Sequence, residues 1–197
     1  MKWSYQIGSI RGIPIKLHVT FLLILLAFIW IFAVKNYEIE TLKITLGFGG
    51  MNISTGLKYL LGSIASVLFF STLLFHEFSH SVVAQSYGVR IRSITLFVIG
   101  GVAQMEEIPK EPRMEARISA AGPAFSLGIG ILTSAIYYTF GPVSPAETEA
   151  TFTNAALIVV GIIAFYNVLL GLFNLIPAFP WTEAEYCVHG LLCVCPI

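Results

Sequence analysis

The run His76-Glu77-Phe78-Ser79-His80 carries the residue types of a metal-dependent hydrolase. Side chains four positions apart share one face of a helix, so both imidazoles can reach one zinc ion. Glu77 lies about 100° around the helix from His76 and can hold a water bound to the same metal. Zinc lowers the pKa of such a water, whose proton a carboxylate can accept. The run therefore predicts His76 and His80 as metal ligands and Glu77 as the catalytic base.

This short pattern has a second interpretation, in which three polar side chains are simply satisfied within a helix. The residues before His76 decide between the two, because they form a long apolar stretch typical of a membrane span. An ionisable residue in such a span costs about 2.5–3.5 kcal/mol on insertion scales and is functional by default. The setting therefore favours metal binding.

The composition is that of a membrane protein. Of the 197 residues, 56% are hydrophobic and 11% are charged, whereas a soluble domain carries about 25% charged residues. The mean hydropathy is +0.83. The formal net charge is zero, so no basic surface indicates a nucleic-acid partner. The expected surroundings are the lipid bilayer.

Four apolar stretches are long enough to cross a hydrocarbon core, which needs roughly 20 helical residues. They are approximately Leu17–Val34, Tyr59–Gln85, Ala116–Phe140 and Ala155–Phe179. Between the second and third, Val89–Met105 is rich in β-branched and aromatic residues and is interrupted by two glycines, which predicts a hairpin. The sequence thus predicts an all-α polytopic membrane protein with at least four transmembrane helices and one short β-hairpin.

The distribution of Lys and Arg predicts a cytoplasmic N-terminus. On one side of the predicted spans lie Lys2, Arg11, Lys16, Arg90, Arg92, Lys110, Arg113 and Arg117, and on the other Lys35, Lys43 and Lys58. Residues 1–16 lack the apolar core and cleavage site of a signal peptide. We therefore expect a multi-pass protein of a prokaryotic plasma membrane, with the second and fourth spans ending at the same cytoplasmic level.

The fourth span ends with Asn174-Leu175-Ile176-Pro177-Ala178-Phe179-Pro180, at the level predicted for the two histidines. Prolines free backbone groups, which a membrane tolerates only where they are buried or line a cavity. Asn174 could act there as a hydrogen-bond donor to a reacting group, or could satisfy a freed carbonyl. A third zinc ligand is expected from the same region, because a catalytic zinc site has three protein ligands.

Together these motifs resemble the site-2 proteases, a family of polytopic intramembrane zinc metalloproteases. The resemblance covers nearly the whole chain. Besides the histidine run, it rests on Gly100-Gly101-Val102-Ala103, Ala121-Gly122-Pro123-Ala124 and the segment from Asn174 to Pro180. It implies zinc bound by His76 and His80, Glu77 as catalytic base, and Asn174 beside the zinc, assisting the oxyanion.

The resemblance ends after Pro180. The family continues with an apolar residue and then Asp-Gly-Gly-Arg-Val-Leu, whose Asp is the third zinc ligand. Here Thr182 holds the Asp position, and threonine is a poor zinc ligand. Glu183 could replace the Asp only with a rearranged backbone, since it is one residue out of register.

A shifted reading frame explains this ending. If the codons for Trp181 to Val188 are read one base earlier, the Trp and Thr codons force Asp at the required place. The remaining codons permit the rest of the family's sequence. We therefore predict an intramembrane core over residues 1–180 and an out-of-frame tail over 181–197, with later spans missing. Under this hypothesis the zinc-like group Cys187, His189, Cys193 and Cys195 is accidental, and the alternative is a natural divergent ending.

The predicted function is zinc-dependent hydrolysis of peptide bonds within transmembrane segments, which would release cytoplasmic fragments in regulated proteolysis. Its partners would be transmembrane protein substrates, and the patterns leave the oligomeric state open. One alternative is a catalytically impaired homologue that binds membrane helices without the third ligand. Another is a transporter or channel, although few charges line the other spans.

Overall fold

The computed structural model describes residues 3–106, 111–141, 143 and 151–175. Four helices form the body of this part of the chain: α1 (Val19–Val34), α2 (Thr55–Ser86), α3 (Pro112–Phe140) and α4 (Phe152–Leu175). The starts of the first three helices are stabilised by nearby residues. The His18 ring accepts a hydrogen bond from the Thr20 N–H, the Ser54 hydroxyl accepts from the Leu57 N–H, and α3 begins with a proline.

Three of the described helices, α2, α3 and α4, are long and apolar enough to cross a membrane. The first predicted span is shorter than expected, because Leu17 and His18 belong to a strand and α1 has 16 residues. At 1.5 Å per residue, α1 is about 24 Å long, against about 30 Å for a hydrocarbon core. Four full-length spans are therefore not confirmed.

The prediction of an all-α protein is wrong. A four-stranded sheet has the strand order β1 (Ser4–Ile10), β2 (Ile13–His18), β5 (Ile91–Phe97), β6 (Gly100–Met105). Two further strands, β3 (Tyr37–Ile39) and β4 (Ile44–Leu46), pair with each other. The hairpin predicted at Val89–Met105 is present as antiparallel β5 (Ile91–Phe97) and β6 (Gly100–Met105).

The N-terminal strands β1 (Ser4–Ile10) and β2 (Ile13–His18) were not predicted. The alternation of Ile13, Ile15 and Leu17 with more polar residues supports β2 locally, but its partner lies far along the chain. Ile15 pairs with Ile94 in a parallel register that sequence spacing alone does not reveal.

The sheet packs one face on the helices. Leu96 of β5 and Leu17 of β2 contact a cluster that includes Phe21, Phe69 and Leu73. Residues that alternate with these, such as Lys16 and Thr95, lie on the opposite face, because successive strand side chains point in opposite directions. Within the described residues β6 is an edge strand.

Helices α2 and α4 run parallel. Ile158 and Ile162 share a cluster with Ala65, and further along both helices the Asn167 amide donates to the Thr72 hydroxyl over 3.0 Å. Helix α3 packs closely on α4 through glycines. A β-carbon on Gly130 would lie 2.7 Å from a methyl of Val168, so a larger residue would separate the two helices.

Candidate metal centre

The two histidines of α2 point their Nε2 atoms at each other. These atoms lie 3.2 Å apart, His76 is fully buried and His80 is partly buried. Two lone pairs at this distance repel unless a proton or a cation lies between them. The spacing His-x-x-x-His on one helix face therefore produces the convergence that the sequence predicted.

The protonation of His80 follows from its other nitrogen. Its Nδ1 lies 2.6 Å from the backbone carbonyl oxygen of Ile118 in α3. A carbonyl only accepts hydrogen bonds, so Nδ1 carries the proton and donates it. In neutral His80 the Nε2 lone pair is then free, which is the state that a metal ligand requires.

His76 has an equivalent support. Its Nδ1 lies 2.8 Å from the hydroxyl oxygen of Ser126 in α3, and both side chains are fully buried. When Nδ1 donates to that hydroxyl, Nε2 of His76 is also free to bind a metal. A single helix, α3, thus orients both imidazoles through one backbone carbonyl and one side chain.

The pair fits a zinc ion. Two nitrogens at about 2.0–2.1 Å from one tetrahedral ion are separated by about 3.3 Å, close to the observed 3.2 Å. Gly122 of α3 faces the same space, because a β-carbon there would lie 2.6 Å from His76 Nε2 and would also collide with His80 Nε2. The absence of a side chain at Gly122 keeps that space open.

Glu77 is buried, like His76, and faces the β5–β6 hairpin. A β-carbon on Gly101 of β6 would lie 2.9 Å from Cδ and 3.1 Å from Oε1 of Glu77. The carboxyl group therefore lies against the backbone of the edge strand. This placement brings the predicted general base next to β6, the edge strand of the sheet among the described residues.

The described residues contain no group of three or more His, Cys, Asp or Glu side chains arranged to hold a metal ion. The predicted Asp position at Thr182, its possible substitute Glu183 and the tail Trp181–Ile197 all lie outside the described residues. The same holds for Ile176 to Pro180 of the proline segment. The third ligand thus stays a prediction.

Asn174 lies at the end of α4, and its amide donates to the Leu170 carbonyl over 2.8 Å. The Leu170 carbonyl lies seven residues before Pro177, whereas a proline frees the carbonyl four residues before it, so this bond matches neither of the two predicted roles. Its role beside the zinc stays a prediction.

Sequence reasoning missed the site roles of Ser126, the Ile118 carbonyl, Gly101 and Gly122. Both glycines lie in motifs quoted above, where Gly101 was interpreted as part of a turn and Gly122 only as part of the family resemblance. Ser126 and the carbonyl carry no local signal, because their contacts with α2 are 50 and 38 residues distant along the chain.

Comparison with known proteins decides the family. Residues 64–160 match the model of peptidase family M50. The solved structure of the site-2 protease from Methanocaldococcus jannaschii aligns with a TM-score of 0.55 and 35% identity, over 90% of this chain and 67% of that one. The chain belongs to the site-2 proteases.

Curated relatives of this site-2 protease agree. Zinc metalloprotease MJ0392 of Methanocaldococcus jannaschii is 37% identical over 91% of this chain, and Rip3 of Mycobacterium tuberculosis is 34% identical over the same share. The chain spans 43% and 42% of their respective lengths. The family prediction is confirmed, and the name of MJ0392 agrees with the predicted zinc.

Proposed function

We propose that this chain is the zinc-binding core of a protease that hydrolyses peptide bonds within transmembrane segments of other proteins. Its products would include cytoplasmic fragments released in regulated proteolysis. The observation that carries the proposal is the convergence of His76 and His80 Nε2 at 3.2 Å in a membrane-type helix. Burial of Glu77 beside them supports a catalytic centre rather than a purely structural metal site.

His76 and His80 would hold the zinc, with Ser126 and the Ile118 carbonyl fixing the orientation of their rings. When bound, zinc supplies a Lewis acid that acidifies a water molecule and polarises the scissile carbonyl. Gly122 leaves room for that water, because no side chain fills the space in front of the imidazoles.

Glu77 would act as the general base. Its carboxylate accepts a proton from the attacking water and later delivers one to the leaving amine. Burial by α2 and β6 excludes bulk water from this transfer, which strengthens each electrostatic interaction within the site.

The edge strand β6 would receive the substrate. A transmembrane helix hides its carbonyl groups in internal hydrogen bonds, so a segment must unwind before it is cut. An unwound segment can pair with a sheet edge, and the contact of Gly101 with Glu77 supports delivery of the peptide to the base.

Asn174 would assist the oxyanion. Asn167 bonds Thr72 across the parallel helices α2 and α4, and Asn174 follows Asn167 by two helical turns, about 10.5 Å along the axis. The same two turns along α2 lead from Thr72 to Ser79, between the two histidines. The matching spacing on the two helices supports a position of Asn174 near the zinc. The Asn174 amide would reach that position after it releases the Leu170 carbonyl.

The proposal includes a third ligand that the printed ending lacks. An Asp at position 182, produced by the reading frame one base earlier, would complete the site, with residues 1–180 as the core and 181–197 as an aberrant tail. If the printed ending is native, the alternative function is a catalytically impaired homologue that binds membrane helices. The described residues favour this alternative only in that they supply no third ligand.

The N-terminus would be cytoplasmic, in a prokaryotic plasma membrane. The archaeal and bacterial sources of the relatives support this compartment, and the Lys and Arg distribution supports the orientation.

The test is a cleavage assay in lipid vesicles with a set of single-span substrates. It uses the frame-restored variant, in which residues after Pro180 follow the frame one base earlier. Glu77→Gln should abolish cleavage, whereas Glu115→Gln, an exposed position on α3, should not. A Glu77→Gln variant that cuts normally would refute the proposal, and one that instead alters ion flux would indicate a transporter.

A further inference from the structure

The second face of the four-stranded sheet carries a polar cavity separate from the candidate metal centre. It is lined, among the described residues, by one residue from each strand: Ser4, Lys16, Thr95 and Gln104. Lys16 and Thr95 are partners in the parallel register. They alternate with Leu17 and Leu96, which face the helices, so the cavity lies on the side of the sheet away from the catalytic residues.

The cavity is larger than one water molecule. It offers about 60 Å³ to the centres of water-sized molecules, and about 10–15 Å³ of such volume holds one water. Ser4, Lys16 and Gln104 are half-buried and Thr95 is buried. The cavity is therefore set into the sheet while it stays in reach of a ligand.

The lining offers hydrogen-bond donors and a positive charge. Lys16 contributes an ammonium group, Ser4 and Thr95 contribute hydroxyls, and Gln104 contributes a carboxamide. The Gln104 oxygen already accepts from the Ser93 hydroxyl over 3.2 Å, which leaves the NH₂ group free to donate. No carboxylate belongs to the described lining.

Two of these groups lack partners among the described residues. The Ser4 hydroxyl oxygen is buried without a hydrogen bond, and a buried polar group without a partner is destabilising. Within the described part of the chain Lys16 takes part in no ion pair, since Arg92–Glu106 is the pair found there. An anion in the cavity would pair with Lys16, and the Ser4 hydroxyl would reach that anion if its side chain rotated toward the cavity.

The sheet adjoins apolar helices. Strand β2 leads directly into α1, and β5 begins five residues after α2 ends at Ser86. Lysines beside a membrane attract anionic lipids.

We infer that the cavity formed by Ser4, Lys16, Thr95 and Gln104 binds a phosphate-class oxyanion, either a lipid head group or free phosphate. The ammonium and the donors around it match the charge and acceptor oxygens of such an anion. The inference goes beyond the proposed proteolysis and does not depend on it.

The test is isothermal titration calorimetry of the full chain in phosphate-free maltoside micelles. The titrants are inorganic phosphate and a short-chain phosphatidylglycerol, with a short-chain diacylglycerol as the control for partitioning. Saturable binding of either phosphate compound is expected. Binding of inorganic phosphate alone identifies the free anion as the source, and binding of phosphatidylglycerol alone identifies the head group.

Variants locate the site. Lys16→Met and Thr95→Val should each weaken binding by about tenfold or more. Arg90→Met, which removes an exposed cation immediately before β5, should leave binding within about twofold. Lys16→Arg should retain binding. If Lys16→Met does not fold, the binding affinities of Thr95→Val and Lys16→Arg decide whether the anion binds in this cavity. No saturable heat, or an equal loss in Arg90→Met, would mean that the cavity holds only water and would overturn the inference.

Discussion

At the scale of single residues, the centre depends on groups in α3 that have no reactive chemistry. Gly122 leaves space in front of both imidazoles, and Ser126 and the Ile118 carbonyl each orient one ring. The outer groups of metal sites fix the tautomer of their histidines. The residues of α3 therefore determine whether the two histidines of α2 can act as ligands.

Gly122→Ala should weaken zinc binding. The added carbon would occupy the space between the histidines, and overpacking costs about 1–3 kcal/mol, or about 5- to 150-fold in affinity. Gly128→Ala is the matched control on the same helix, because a β-carbon there meets nothing within 4 Å. Competition with a fluorescent zinc chelator measures both variants, and equal affinity would show that Gly122 does not face the metal.

Ser126→Ala should lower zinc affinity by about 10- to 100-fold, the usual effect of removing an outer partner of a ligand histidine. Ser79→Ala provides the control, because the Ser79 hydroxyl donates to the Phe75 carbonyl of its own helix. The same chelator assay applies. A similar loss in both variants would point to general destabilisation instead of histidine orientation.

At the scale of elements, the hairpin and the helices meet at Glu77. Strand β6 passes against its carboxyl group, and β6 is at the edge of the sheet among the described residues. The strand therefore offers unpaired backbone groups beside the predicted base. Substrate selection and catalysis would then depend on the same short strand.

Proline substitutions along β6 should impair cleavage at every second position of the strand. Along an edge strand alternate N–H groups point away from the sheet, and proline removes this donor. Within the pair Val102 and Ala103, one substitution should stop cleavage by the frame-restored variant while zinc binding persists. Proline at Gln6 of the opposite edge strand β1 is the control. Full activity throughout β6 would contradict strand addition.

Features set by residues that are close in the sequence could be predicted, whereas contacts between residues far apart in the sequence could not. The His76–His80 convergence follows from helical spacing, and the β5–β6 hairpin follows from β-branched residues around Gly100-Gly101. The β2–β5 pairing joins residues nearly 80 positions apart, so no local pattern indicated a four-stranded sheet. The support of His76 by Ser126 was hidden for the same reason.

At the scale of the whole molecule, the groups of the proposed zinc site lie on both sides of Pro180. The described helices would supply two ligands and the base, whereas the expected third ligand would come from a residue after this proline. The chain spans less than half the length of MJ0392 and Rip3. The proposed activity therefore depends on residues C-terminal to the core as well as on the core itself.

The DNA across the codons for Pro177 to Cys187 should reveal the origin of the printed ending. We expect one base to be missing near the Pro180 codon, with an in-frame Asp codon in the genomic source. Sequencing the DNA that encodes this chain and the matching genomic DNA would show directly whether a base is missing. If the two are identical, the frameshift hypothesis fails, and the choice lies between Glu183 as a ligand and a protein that does not cut.

The most direct test of the central claim is the zinc content of the frame-restored variant, measured by elemental analysis after dialysis. We predict about one zinc per chain, retained in Glu77→Gln and lost in His80→Ala, because the base is not a ligand and the histidine is. Zinc that persists unchanged in His80→Ala would contradict the account, since the metal would then be bound elsewhere than at the histidine pair of α2.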